Sequence, residues 1–369
     1  MHLIRSCSLS PSSCPLAATL TKASTDLLKS PVLESKATKA PSSSASSDGL
    51  LVPSSVWLTG CYTFWKDGHF GQGVLVGVID SGIDHTHPVL QGRVLKRRDY
   101  TDETQVPSTQ YNGHGTHVAS TIGALPGRNP EDCLVGVAPG VTFCDYRVFP
   151  REGGAPTWVI ARAVRDAVAD GCHIINMSLG GPAPNSDLEE AIQEARARGV
   201  SVICAGGNLG TGSTLRQVLA EDEISYPAFY PNTLAVACVD LNLASGDIDF
   251  VSFSNTNGLI DVAADGFRLV GAWPGNQYVT ISGTSMACPC VAGMAALLYG
   301  RIAERSGPSV ARTINLHAVL KAEAVDIFDE TGNRNNIEGY GLCTLFSEVP
   351  KLVNGEWVLP TLSQGAPIV

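Results

Sequence analysis

Four polar residues stand where apolar segments of the 369-residue chain stop. Asp80 ends "GVLVGVID", His114 lies in "NGHGTHVAS", Asn208 closes "CAGGN", and Ser285 sits in "GTSMACPCVAG". As a set they are the groups that acyl transfer requires: a hydroxyl nucleophile, an imidazole base, a carboxylate to orient that base, and a side-chain amide that donates to an oxyanion. Taken singly, each also fits a plainer role. Asp80 suits a turn, Asn208 beside two glycines suits a left-handed backbone, His114 between two glycines suits a surface loop, and Ser285 suits a helix N-cap. The set, rather than any one member, carries the reading.

The elements that must position these groups alternate between strand and helix. "GVLVGVID" is a short, nearly unbroken apolar run, as expected of a parallel strand buried on both faces. "TWVIARAVRDAVADG" places Ile160, Val164 and Val168 on one helical face and stops at Gly171, and "CHIINMSLGG" then reads as a strand. "NSDLEEAIQEARARG" offers a capping box, Ser186 with Glu189, and a stop at Gly199. Strands "VSVICAGGN", "TLAVACVD" and "VTISG" follow, the last leading into the helical run "SMACPCVAGMAALLYGRIAER". This rhythm predicts an α/β fold, a three-layer, doubly wound, mostly parallel β-sheet with helices on both faces. Ligands of such sheets collect outside the carboxyl ends of the strands, where the four residues lie.

Composition bounds the function classes. Hydrophobic residues make up 44% of the chain, enough for a sizeable core, and the net charge is −10 with no basic stripe to neutralise phosphates, so no nucleic-acid partner is expected. No stretch is read as the ~20 apolar residues of a membrane span. Residues 1–55 are rich in Ser, Ala and Pro and read as a disordered leader. They lack an acid before Asp26 and carry Arg5 and Lys22, weakly in the manner of a transit peptide or a short pro-segment. A globular domain over 56–349 and a tail over 350–369 complete the expected organisation. Eleven cysteines with no CxxC pair and an odd total point to a reducing compartment, intracellular or organellar rather than secreted. A monomer is expected.

The segments "VIDSGIDHTHP", "NGHGTHVAS", "INMSLGG", "GGN" and "GTSMACPCVAG" occur in the order found in subtilisin-like serine proteases, and the chain resembles that family from about residue 56 to 345, including "GYG" at 339–341. The resemblance implies a serine endopeptidase. In it Ser285 is the nucleophile, His114 the general acid and base, and Asp80 the carboxylate that fixes the imidazole, while Asn208 and the Ser285 backbone N–H form the oxyanion hole. It further implies that Ser178, Leu179, Gly180 and Gly181 pair with a polypeptide substrate bound as an added strand. Ala205, Gly206 and Gly207 then wall the opposite side of the P1 pocket. The same acyl-enzyme with an amine acceptor would make a peptide ligase or cyclase, and a non-catalytic binding module is the remaining class; the sequence leaves both open.

Departures from the family pattern limit what is carried over. No cofactor is implied. Where relatives use an Asp nine residues after the catalytic one for calcium, Val89 stands here, which argues against that site. Many relatives fold with the help of a pro-domain, and the leader reads as too short and too disordered to serve as one, so the expectation is either that folding proceeds without one or that the natural start lies elsewhere. Cys288 and Cys290 replace residues more often small and His. They are expected to pack as apolar groups rather than bind metal, with oxidation or alkylation of Cys288 inhibiting by crowding Ser285. Pro289 removes the N–H that would bond the Ser285 carbonyl. The insert after Asn208 carries Glu221, Asp222 and Glu223, read as solvated charge or as a selector for basic P1 residues.

Overall fold

The computed structural model describes residues 56, 58–126, 132–210, 225–242, 247–328 and 337–346, and the backbone of 351–353 and 356–358. The expected leader, the acidic insert at 221–223 and most of the tail lie outside the described residues. Eight strands form the main sheet: β1 (Leu75–Asp80), β2 (Val94–Asp99), β3 (Thr142–Arg147), β4 (Ile174–Met177), β5 (Ser201–Ala205), β6 (Leu234–Leu241), β7 (Ile248–Phe250) and β8 (Val262–Asp265). Their order is β2-β3-β1-β4-β5-β6, all parallel, after which β6 pairs in parallel with β8 and antiparallel with β7. β1 is central, in register with β3 from Leu75↔Thr142 to Asp80↔Arg147 and with β4 from Val76↔Ile174 to Val78↔Asn176. The chain runs first to one side of β1 and then to the other, so the carboxyl ends of β1 and β4 flank the crevice where the order reverses.

The apolar runs are explained by two cores, one on each face. Side chains alternate across a strand, so Val76, Val78, Ile174 and Ile203 join one core while Ile79, Ile175 and Val202 join the other. The first core is closed by α2 (His114–Gly123) and α5 (Thr284–Ser306), with α1 (Cys61–Lys66) beside them. The second is closed by α3 (Thr157–Ala169) and α4 (Ser186–Ala197). Ile160 and Val164 face inward as their spacing predicts, with Val168 half-buried at the margin. The short helices α6 (Pro308–Thr313) and α7 (Leu316–Ala322) follow α5, and a small ribbon pairs β11 (Lys351–Val353) with β12 (Glu356–Val358).

Three expectations are corrected. By length and composition, α5 is long and apolar enough to cross a membrane, but 83% of that stretch is buried inside the fold. A helix walled on all sides needs no polar face, which is why its sequence is apolar all round. "VTISG" is not in the parallel sheet: β10 (Gln277–Ile281) pairs antiparallel with β9 (Leu269–Trp273) in a separate ribbon, and its partly exposed side chains do not need the apolar run of a central strand. The cap of α4 is Asn185, whose side chain accepts from the Leu188 N–H at 3.0 Å, one residue ahead of the expected Ser186.

Candidate active site

Asp80 is buried at the end of β1, and His114 opens α2. His114 Nδ1 lies 2.9 Å from Asp80 Oδ1 and 3.0 Å from Oδ2. The Ser81 N–H donates to Asp80 Oδ1 at 2.7 Å. Ser81 Oγ accepts from the Gly115 N–H at 3.0 Å and donates to Asn112 O at 2.9 Å, and Asn112 Oδ1 accepts from the His114 N–H at 3.1 Å. The two segments are thus stitched together on both sides of the carboxylate–imidazole pair. Gly115 makes this approach possible, because a Cβ there would sit 2.6 Å from Gly82 O and 3.1 Å from Asp80 Oδ1. Burial pulls the His114 pKa down, but the Asp80 charge and hydrogen bond outweigh it and the net shift is upward. With Nδ1–H directed at Asp80, the other ring nitrogen, Nε2, is the proton acceptor.

Ser285 lies in the first turn of α5, where backbone N–H groups have no acceptor within the helix. Its hydroxyl donates to Ser178 O at 3.4 Å, and Ser178 Oγ donates back to Ser285 O at 2.8 Å. That carbonyl is the one deprived of a helical partner by Pro289, so Ser178 supplies the missing donor. Thr284, just before, is tied to Asn208: Asn208 Oδ1 accepts from both the Thr284 N–H and Oγ1–H, each at 2.9 Å. Both bonds go to the oxygen, which fixes the sense of the amide and leaves Nδ2 as its donor end. Asn208 itself is exposed.

The loop carrying Asn208 is held by Asn255. Asn255 Nδ2 donates to Gly206 O at 2.9 Å, and its Oδ1 accepts from the Leu209 N–H at 2.7 Å. The Asn255 N–H donates to Gly207 O at 3.0 Å. Gly207 has φ +105, and a Cβ on it would lie 2.3 Å from Asn255 Nδ2, so the position admits only glycine. Of the expected walls, Gly206 and Gly207 have their backbone groups committed inside the protein: Gly206 N–H donates to Val236 O at 2.8 Å and Gly207 N–H to Thr284 Oγ1 at 3.1 Å. Gly181 exchanges both backbone bonds with Tyr226, at 2.9 and 2.8 Å. Leu179, half-buried, and Gly180, exposed, therefore form the open edge of the Ser178–Gly181 segment, while Ala205 is buried at the end of β5.

Cys288, one turn on from Ser285, packs against Asn176. It is fully buried, with its thiol donating to Asn176 Oδ1 at 3.2 Å, so a reagent reaches it only when the surrounding core opens. Cys290 is likewise buried in the core, as is Val89. Among the described residues there is no group of three or more His, Cys, Asp or Glu placed to hold a metal ion. The sequence reading missed Ser81, Asn112, Thr284, Asn255 and Asn176. Asn176 alone carried a signal, as a polar side chain inside a strand whose four residues are all buried.

Residues 71–341 match the family model described as Subtilase family, Peptidase S8. The chain is 35% identical over 299 residues to the "Intracellular serine protease" of Paenibacillus polymyxa, covering 79% of this chain and 86% of that one. It is 40% identical over 232 residues to "Subtilisin Savinase" of Lederbergia lenta, covering 63% and 78%. The solved structure of "Sphericase" superposes with a TM-score of 0.63 at 31% identity, covering 74% of this chain and 92% of that one. The strand order, the placement of the polar residues at the crevice and this similarity over most of the chain agree: the protein belongs to the subtilase family and is a subtilisin-like serine endopeptidase acting on polypeptides.

Proposed function

We propose that peptide-bond hydrolysis runs through an acyl-enzyme on Ser285, and the observation that carries this is the Asp80–His114 pair, at 2.9 and 3.0 Å, at the carboxyl end of β1. Asp80 holds the Nδ1–H tautomer, so His114 Nε2 is free to take the Ser285 hydroxyl proton once that hydroxyl turns from Ser178 O to the imidazole. The serine oxygen then attacks the scissile carbonyl. The resulting oxyanion is met by Asn208 Nδ2 and the Ser285 N–H, two donors fixed before the charge develops. The imidazolium passes its proton to the leaving amine, and water, activated by the same nitrogen, releases the acyl group. An extended polypeptide lying along Leu179 and Gly180 supports this geometry by presenting its carbonyl between nucleophile and amide.

The test is fluorophosphonate labelling of the full chain followed by peptide mass. A single adduct on Ser285, abolished in Ser285→Ala and slowed in His114→Ala, is the expected result; an adduct elsewhere, or hydrolysis surviving Ser285→Ala, overturns the assignment. We further place the enzyme in a reducing compartment, supported by nine buried cysteines, none in a disulfide among the described residues, and by the printed name of the relative from P. polymyxa. Disulfide mapping of the natively expressed protein tests this, and a mapped bridge overturns it.

A further inference from the structure

We infer that Cys288 and Asn176 are positioning residues that set the direction of a buried hydrogen-bond chain ending on the backbone of Ser285. The inference rests on the proposed role of Ser285 as nucleophile. The chain has three links: the Cys288 thiol donates to Asn176 Oδ1 at 3.2 Å, Asn176 Nδ2 donates to Ser178 Oγ at 3.0 Å, and Ser178 Oγ donates to Ser285 O at 2.8 Å. It joins the strand β4, the segment after it and the first two turns of α5, all inside the protein: Cys288 and Asn176 are 0% exposed and Ser178 is 4% exposed.

Direction matters because Ser178 has one proton to give. As long as Asn176 presents its NH₂ end, the Ser178 oxygen accepts there and its proton must go elsewhere, to Ser285 O. If the amide were reversed, Asn176 Oδ1 would face Ser178 and draw its proton away. Ser285 O would then lose its side-chain donor, and Pro289 has no N–H to replace it. What selects one amide orientation over the other is the group at the far end of Asn176. A thiol donates to the amide oxygen, and its sulfur is only a weak acceptor for the amide NH₂, so Cys288 favours the orientation with oxygen toward itself. Burial pushes the Cys288 thiol well above its ordinary range, so it keeps its proton and remains a donor to Asn176.

The consequence falls on geometry at the nucleophile. Ser285 O, the Ser285 N–H and the hydroxyl belong to one residue in the first turn of a helix whose regular bonding is interrupted. Fixing the carbonyl fixes the directions of the other two. A shift of about 1 Å in a reacting group can cost about 10²-fold in rate without loss of substrate binding. Cys288 and Asn176 touch neither substrate nor reacting atom; they act through Ser178.

The test compares Cys288→Ala, Cys288→Ser and Asn176→Asp in the full chain, with kcat and KM on a peptide p-nitroanilide, the rate of fluorophosphonate labelling, and thermal melting. Serine keeps a donor at 288 and is expected to restore near wild-type kcat. Alanine removes the donor, and aspartate removes the NH₂ that faces Ser178; both are expected to lower kcat and the labelling rate roughly tenfold to hundredfold, with KM within about twofold. Full kcat in Cys288→Ala or Asn176→Asp, with melting near wild type, overturns the inference, as does a Cys288→Ser variant as slow as Cys288→Ala. Should the aspartate fail to fold, the alanine and serine pair carries the test alone. The site of labelling separates the two proposals. A wild-type adduct away from Ser285 defeats the assignment of the nucleophile, whereas an adduct on Ser285 that forms equally fast in all three variants defeats only the positioning chain.

Discussion

Asp80 engages His114 Nδ1 with both carboxylate oxygens, at 2.9 and 3.0 Å, while the Ser81 N–H holds one of those oxygens from behind at 2.7 Å. A carboxylate anchored in this way does more than attract a proton. It fixes the plane of the imidazole and the nitrogen that bears the hydrogen, so the remaining nitrogen is a base before substrate arrives. It also raises the His114 pKa above the 6.5 of an unperturbed imidazole, even though burial alone would lower it.

That shift has a sign that can be read in kinetics. With His114 as the proposed general base, which must be neutral to act, kcat/KM is expected to rise with pH through the His114 pKa, with the midpoint of the acid limb above 6.5. In Asp80→Asn the two raising causes are lost and the lowering effect of burial remains. The acid limb should move to lower pH while kcat falls by about 10⁴, because the amide also favours the wrong tautomer. Rate profiles from pH 5 to 9 on both proteins check this; an acid limb that stays in place in the variant would show that the pair does not control the base.

Gly115 sets how closely α2 can approach β1. Its α-hydrogen points at Gly82 O, and the methyl of Gly115→Ala would be 2.6 Å from that backbone oxygen, with no flexible side chain to yield. The helix must shift and carry His114 with it. We expect a stability loss of about 1–3 kcal/mol and a kcat loss disproportionate to it, near 10²-fold, read by denaturant unfolding and by turnover at a temperature where both proteins are folded. Undiminished turnover in a destabilised variant would separate the packing of Gly115 from the catalytic geometry.

How much of this was legible in the chain depended on whether a residue's partner was near in sequence or its pattern was forced by burial. β1 and β4 face two cores, which requires an unbroken apolar run, and both could be read directly. β2 could not: as an edge strand with "KRR" mostly exposed, it has neither run nor alternation. The polar residues ending strands stood out because a sheet's carboxyl ends are exposed to the crevice. Their supports did not, since the Ser178–Ser285 bonds span 107 positions and the Cys288–Asn176 bond 112. No local pattern encodes such contacts, and only the fold brings their ends together.

Asn208 and Asn255 should act as one unit. With Asn208 as the proposed oxyanion donor, Asn208→Ala is expected to lower kcat by about 10²–10³ with little change in KM, the cost of losing one preorganised contact. Asn255→Ala leaves that donor in place but frees the Gly206–Gly210 loop that aims it. A double-mutant cycle should then show Asn208→Ala costing less in the Asn255→Ala background, with a coupling of about 0.5–3 kcal/mol in activation free energy. Strict additivity would mean that the loop holds Asn208 without Asn255.

The nine described cysteines bear on how the enzyme responds to thiol chemistry. Cys288 follows Ser285 by three positions, and proximity in sequence alone suggests that modifying it would block the nucleophile. The fold buries it against Asn176, however, and all nine are buried. A reagent reaches such a thiol only when the surrounding core opens, at a frequency set by local or global unfolding rather than by the thiol's own reactivity. Short treatment of the folded enzyme with iodoacetamide should therefore leave these nine cysteines unmodified and hydrolysis unchanged, whereas the same treatment in denaturant should modify all nine, as counted by peptide mass. A carbamidomethyl group on Cys288 that accumulates in step with loss of activity under native conditions would show that the segment after Ser285 opens far more readily than its packing allows.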